Sequence, residues 1–129
     1  MVKVFLIEDA LQVRKRLRAL LQTVPGVTVV GEADSVTGGI NGVLGSDADT
    51  VLLDLQLTDG SGLAVLPALK AQRPALHVIV LSNFASTQHR HASFAAGADV
   101  FLDKSHEFMR VPEILRGWLP DQGGAGAAH

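Results

Sequence analysis

The chain has 129 residues, enough for one domain with a sizeable core. Hydrophobic residues make up 47% and charged residues 19%, which excludes a disordered or fibrous chain. Cysteine is absent, so disulfides, zinc–thiolate sites and thiol catalysis are excluded, and a net charge of −2 argues against a globally basic nucleic-acid binder.

Residues 2–7 form an apolar run of strand length that ends at Glu8 and Asp9. The same acidic pair would terminate a signal-peptide core, and no run long enough to span a membrane exists, so a soluble cytoplasmic protein is expected. Ala10, Val13, Leu17, Leu20, Leu21 and Val24 then recur at three- and four-residue steps, one face of a helix that Pro25-Gly26 stops. Residues 27–30 are strand-like. Residues 35–44 predict a weaker helix, because four glycines in or beside it lower its propensity. Residues 50–53 are a further apolar run, residues 63–72 a helix and residues 76–81 a strand. Residues 87–96 read as a helix ending at Gly97, residues 100–102 as a short strand, and residues 107–119 as a last helix with Pro112 in its first turn.

Five β-α units in series, with strands apolar throughout, predict a doubly wound α/β fold around a five-stranded parallel sheet. Residues 1–120 form that domain, and residues 121–129, rich in Gly and Ala, are expected to be a flexible tail. In such folds the chemistry lies beyond the carboxyl ends of the strands. Those ends carry Glu8 and Asp9, Asp54, Ser82 and Asn83, and Asp103 and Lys104. Carboxylates gathered at one edge repel unless a cation intervenes. A Mg²⁺ ion held by oxygens is one solution and Lys104 another. Each residue alone is more simply a turn former, a helix cap or a surface group. Their coincidence after strands one, three, four and five is rare by chance, and a lysine and a hydroxyl there are suited to holding a phosphoryl oxygen.

The motifs Phe5-Leu6-Ile7-Glu8-Asp9, Val51-Leu52-Leu53-Asp54-Leu55, Asp59-Gly60-Ser61-Gly62, Val80-Leu81-Ser82, Gly97-Ala98-Asp99 and Phe101-Leu102-Asp103-Lys104 together resemble the receiver domain of bacterial two-component response regulators. The resemblance covers residues 3–119. It implies a flavodoxin-like sheet of strand order 2-1-3-4-5. It implies Asp54 as phosphoryl acceptor from a histidine kinase or phosphotransfer protein. It implies Mg²⁺ held by Glu8, Asp9, Asp54 and the backbone carbonyl of Gln56, with Lys104 and Ser82 on the phosphoryl group. Ser82 and Phe101 would form the switch, the ring turning inward as the hydroxyl moves. A stand-alone receiver is expected, its output the binding of a downstream protein, with phosphorylation-dependent homodimerisation compatible with it. Direct nucleic-acid or membrane contact by this chain is not expected. A receiver fragment of a DNA-binding transcription regulator is the alternative.

Three positions depart from the family pattern. Thr58 stands where Pro is common, which predicts a less restricted loop. Asn83 replaces a small residue beside the switch hydroxyl. Ser105 follows Lys104 where the family often has a cis proline. Gln56 and Phe84 would flank the line of an attacking water, which predicts slow loss of the phosphoryl group.

Two other functions are disfavoured. A dehalogenase-type phosphatase needs an acid/base carboxylate two residues after its Asp nucleophile, where Gln56 stands, so the chain is expected to act on itself and not as a turnover enzyme. A flavodoxin-like cofactor binder needs a phosphate loop where Glu8-Asp9 would repel phosphate. Arg14, Lys15, Arg16 and Arg18 form a basic helix face, either solvated or a kinase-docking surface. His77, His89, His91, His106 and His129 are scattered without metal-ligand spacing.

Overall fold

The computed structural model describes residues 1–83 and 86–119; the expected tail and Phe84 lie outside the described residues. Five strands alternate with five helices: β1 (Val2–Ile7), α1 (Leu11–Leu21), β2 (Val27–Ala33), α2 (Val36–Leu44), β3 (Thr50–Asp54), α3 (Val65–Gln72), β4 (His77–Ser82), α4 (Thr87–Ala95), β5 (Val100–Asp103) and α5 (Val111–Trp118). The sheet is parallel throughout, in the order β2-β1-β3-β4-β5. That is the doubly wound order expected above.

The strands are apolar because both faces are covered. One face packs Phe5, Ile7, Val51, Leu53, Val78 and Val80 against Val43, Val65, Leu66 and Leu69 of α2 and α3. The other packs Val4, Leu6, Leu52, Ile79 and Leu81 against Leu17, Leu21, Val111 and Leu115 of α1 and α5. Trp118 packs against this second cluster and stacks on His77, with ring centroids 4.7 Å apart.

Several elements differ from the sequence reading at their ends, most by a single residue. α3 and α5 begin only after single 3-10 turns, Gly62–Ala64 and Phe108–Arg110. α1 stops at Leu21, before Pro25. β2 runs on to Ala33, because pairing with β1 extends past the β-branched stretch, through a register shift at Val4/Phe5. The loop after β3 contains a two-residue antiparallel pair, Gln56–Leu57 with Gly60–Ser61, that the sequence showed only as turn residues.

The glycine-rich character of α2 has a packing cause. A β-carbon on Gly42 would lie 2.3 Å from Cζ of Phe5, and one on Gly39 would lie 2.7 Å from Cδ1 of Ile7. The helix therefore lies closer to β1 than an alanine-bearing face allows. What propensity loses there, close packing returns.

Candidate functional site

The site is built where the strands end. Glu8 follows β1 and is 3% exposed, Asp54 closes β3 at 7%, and Ser82 closes β4 at 1%. Lys104 follows β5, its backbone N–H donating to the carbonyl of Ser82 at 2.9 Å. Its side chain crosses the edge of the sheet. Nζ lies 2.7 Å from Oε1 of Glu8 and 3.2 Å from Oδ2 of Asp54. Burial works against the ammonium's charge, but the hydrogen bond it donates to Glu8 and the charges of Asp54 and Glu8 outweigh it. The pKa of Lys104 is held above its ordinary 10.5.

Asp9 is exposed beside this pair. Partial desolvation, then the hydrogen bond and negative charge of Glu8, raise its pKa above the ordinary 3.8. One carboxylate oxygen from each of Glu8, Asp9 and Asp54 lies within 4.8 Å of the others, the group among the described residues able to hold a metal ion. Three carboxylates against one ammonium leave a local excess of negative charge, and an all-oxygen donor set suits a hard divalent cation. Gln56 begins the small antiparallel pair, with its side chain exposed and its N–H donating to Oδ1 of Asp54 at 3.2 Å.

In the loop after Asp54, Thr58 makes hydrogen bonds that a proline at this position could not. The Thr58 hydroxyl and N–H both donate to the carbonyl of Asp34, at 3.1 and 3.5 Å. The next residue, Asp59, reaches the start of α2 and accepts from the N–H groups of Val36 and Thr37, at 2.6 and 3.3 Å. These amides, led by Val36, hold its pKa below 3.8. Gly62 lies against the peptide that follows Asp54: a β-carbon there would meet the carbonyl oxygen of Asp54 at 2.2 Å and Cα of Leu55 at 2.9 Å.

Phe101 is 3% exposed, its ring inward, with the guanidinium of Arg90 from α4 lying 4.8 Å from the ring centroid. Among the described residues no peptide bond is cis, so the bond preceding Ser105 is trans. Asn83 is exposed. The proposed shielding role of Phe84 lies outside the described residues.

The structure thus brings Glu8, Asp9, Asp54 and Lys104 together, with Ser82 and Phe101 on the adjoining strands. It redistributes the basic face of α1. Arg14 and Arg18 bind Glu32 of β2, and Arg16 lies 4.3 Å over the ring of Phe108. Of the four, Lys15 is left as the exposed cation without such a partner among the described contacts. Sequence reasoning named Asp59 only within a motif and Arg14 only on a basic helix face, and missed the contacts of both. Their partners lie 23 and 18 residues away, on neighbours set by the strand order.

A parallel α/β domain with a carboxylate cluster and a lysine beyond the carboxyl ends of its strands places its polar side chains where such folds carry their sites. A family profile described as the response regulator receiver domain matches residues 4–116, and the chain belongs to that family. It is 33% identical over 116 residues to the DNA-binding transcriptional activator DevR/DosR of Mycobacterium tuberculosis, covering 90% of this chain and 54% of that one. It is likewise 33% identical over 113 residues to the nitrate/nitrite response regulator NarP of Escherichia coli, covering 88% and 51%. The chain therefore spans about half the length of these curated relatives. Among solved structures, a LuxR-family DNA-binding response regulator from Staphylococcus aureus superposes with a TM-score of 0.82 at 15% identity, covering 91% of this chain and 98% of that one. The receiver domain of RcsB from Escherichia coli does so with a TM-score of 0.82 at 24% identity, covering 91% and 92%. These two establish the fold. Among the described residues no helix is long and apolar enough to cross a membrane.

Proposed function

We propose that this chain is a phosphoryl-accepting signalling switch, with Asp54 as acceptor. The observation that supports this reading best is the placement of Asp54: nearly buried, paired to Lys104, and within one metal-sized cluster of Glu8 and Asp9. A carboxylate oxygen of Asp54 attacks the phosphorus of a phosphohistidine on a sensor kinase or phosphotransfer protein. The P–N bond breaks, the imidazole leaves, and an acyl phosphate forms. Lys104 exchanges its contact with Asp54 for a phosphoryl oxygen while keeping Glu8. The Ser82 hydroxyl, at the end of the next strand, donates to the same group.

Glu8, Asp9, Asp54 and the carbonyl of Gln56 would hold Mg²⁺. Bound there, the ion would neutralise the charge of the phosphoryl oxygens during transfer. Turnover of a free substrate is disfavoured, because the Gln56 amide cannot act as a general acid or base. The protein would act in the cytoplasm, passing its signal through protein contacts altered at Ser82, Phe101 and α4, with a phosphorylation-dependent homodimer among the arrangements this allows.

The relatives favour one form of that output. Those compared above are named as a DNA-binding activator and a response regulator, and this chain matches about half of each. We infer that the domain serves as the receiver of such a regulator, with DNA contacted by another part of that protein. The deciding experiment is incubation with acetyl phosphate or phosphoramidate, followed by intact mass. A gain of one phosphoryl group that needs Mg²⁺ and disappears in Asp54→Asn is expected. An equal gain in that variant places the acceptor elsewhere.

A further inference from the structure

Every polar atom of Glu8 has a partner. Its N–H donates to the carbonyl of Ala33 in β2 at 3.0 Å. Oε1 accepts from Lys104 at 2.7 Å, and Oε2 from the N–H of Ala10 at 3.0 Å. Its carbonyl oxygen accepts Nη1 of Arg14 at 2.6 Å. The last contact comes from a side chain on α1 to which the phosphoryl chemistry gives no part.

Arg14 is itself fixed. Its Nε donates to Oε1 of Glu32 at 3.0 Å, and the other oxygen of Glu32 accepts from Nε of Arg18 at 2.6 Å. The Arg14 side chain is only 15% exposed. A relay thus runs from edge strand β2 through the guanidinium to the backbone of the β1–α1 turn.

We infer that Arg14 is a positioning residue for the cation site, acting through the Glu8–Asp9 peptide. The carbonyl of Glu8 and the nitrogen of Asp9 share one rigid plane, so fixing the oxygen fixes where Asp9 departs. Asp9 needs that constraint, because it is exposed and the turn it occupies belongs to neither strand nor helix. The guanidinium reaches a carbonyl and a carboxylate at once in a fixed geometry; a lysine ammonium is a point charge on a flexible stem.

The sign of the effect separates positioning from charge. Arg14 carries a positive charge beside a cation site, so by Coulomb's law its removal should tighten cation binding. Positioning predicts the reverse. This inference rests on the metal reading of Glu8, Asp9 and Asp54, and the experiment separates the two.

Bind Mn²⁺ to the full chain and follow the free ion by electron paramagnetic resonance, for the native protein and for Arg14→Ala, Arg14→Lys and Arg18→Ala. In metal-free protein, measure amide exchange at Asp9 and Ala10. Arg14→Ala should bind Mn²⁺ about 10-fold more weakly, the range seen when an outer partner of a metal ligand is lost. Its Asp9 and Ala10 amides should exchange faster, and Arg14→Lys should fall between it and the native protein. Arg18→Ala removes the other arginine from Glu32 without touching Glu8, and should stay within about twofold of native. Equal or tighter binding in Arg14→Ala, unchanged exchange, or an equal loss in Arg18→Ala overturns the role given to Arg14. A native protein that binds no Mn²⁺ overturns the metal reading, and this inference with it, whatever the exchange shows.

Discussion

Helices α3 and α4 cover the same sheet and have similar lengths, but they are held very differently. α3 buries Val65, Leu66 and Leu69 completely. At about 1.5–3 kcal/mol for each buried apolar side chain, that is a substantial anchor. α4 buries only Ser93, whose hydroxyl donates back to the carbonyl of His89 in its own helix. Its one large apolar residue, Phe94, is 44% exposed. The contact that ties α4 to the sheet's last strand is polar and aromatic: Arg90 over Phe101, with Nη1 donating weakly to the Phe101 carbonyl at 3.4 Å. The difference teaches where motion is cheap. The acidic cluster stands at the ends of β1 and β3, and α4, beside Ser82 and Phe101, has few buried apolar contacts to hold it, the condition under which local motion costs least.

That comparison can be broken most directly by truncation. Leu66→Ala in α3 should cost about 2–5 kcal/mol of unfolding free energy, whereas Phe94→Ala in α4 should stay within about 0.5 kcal/mol. Equal losses in chemical denaturation would mean that α4 is anchored as firmly as α3. Next in size is Gly62→Ala on the loop after Asp54. Its β-carbon meets backbone atoms of Asp54 and Leu55, so the loop must move, at about 1–3 kcal/mol. Labelling of Asp54 by acetyl phosphate should slow with it. A native labelling rate would show that the close approach is not needed for the chemistry.

Arg90→Ala sharpens the comparison at a smaller scale. Losing the guanidinium over Phe101 should cost about 0.5–1 kcal/mol. Amide exchange should rise along α4 while α3 stays protected; a uniform rise would show that Arg90 supports the whole domain. The smallest effect is acidic. Asp59 has a folded pKa below its ordinary 3.8, chiefly because the Val36 amide binds its charged form. A depressed carboxyl stabilises the fold above pH 3.8, and that contribution is lost as pH falls through the lower folded value. The Val36 amide resonance should therefore titrate with a midpoint below 3.8, and Asp59→Asn should abolish that step. A midpoint at or above 3.8 would remove Asp59 from the start of α2.

Much of the fold was legible in the chain because its signals are local. Residues 2–7 and 50–53 are apolar without alternation, which is what burial on both faces of a parallel strand requires. Gly97 marked the end of α4, and Pro112 fell in the first turn of α5. Glu8, Asp9, Asp54 and Lys104 were legible as a site because polar residues directly after apolar strands must share one edge of a parallel sheet. That inference needs only the strand ends, and the structure brings all four together.

Contacts between distant segments were decided by tertiary structure alone. Arg73 donates to the carbonyls of Val43, Leu44, Ser46 and Ala48, securing the C-terminal end of α2 from the far end of α3. Nothing near Arg73 in the chain announces those oxygens. The same holds for Asp59 at the start of α2, for Gly42 against Phe5, and for Arg14 between Glu8 and Glu32. Periodicity reports which face a residue presents, because a helix or strand repeats over a few residues. Which partner that face meets is set by the strand order and crossover geometry, and these exist only once the sheet has assembled.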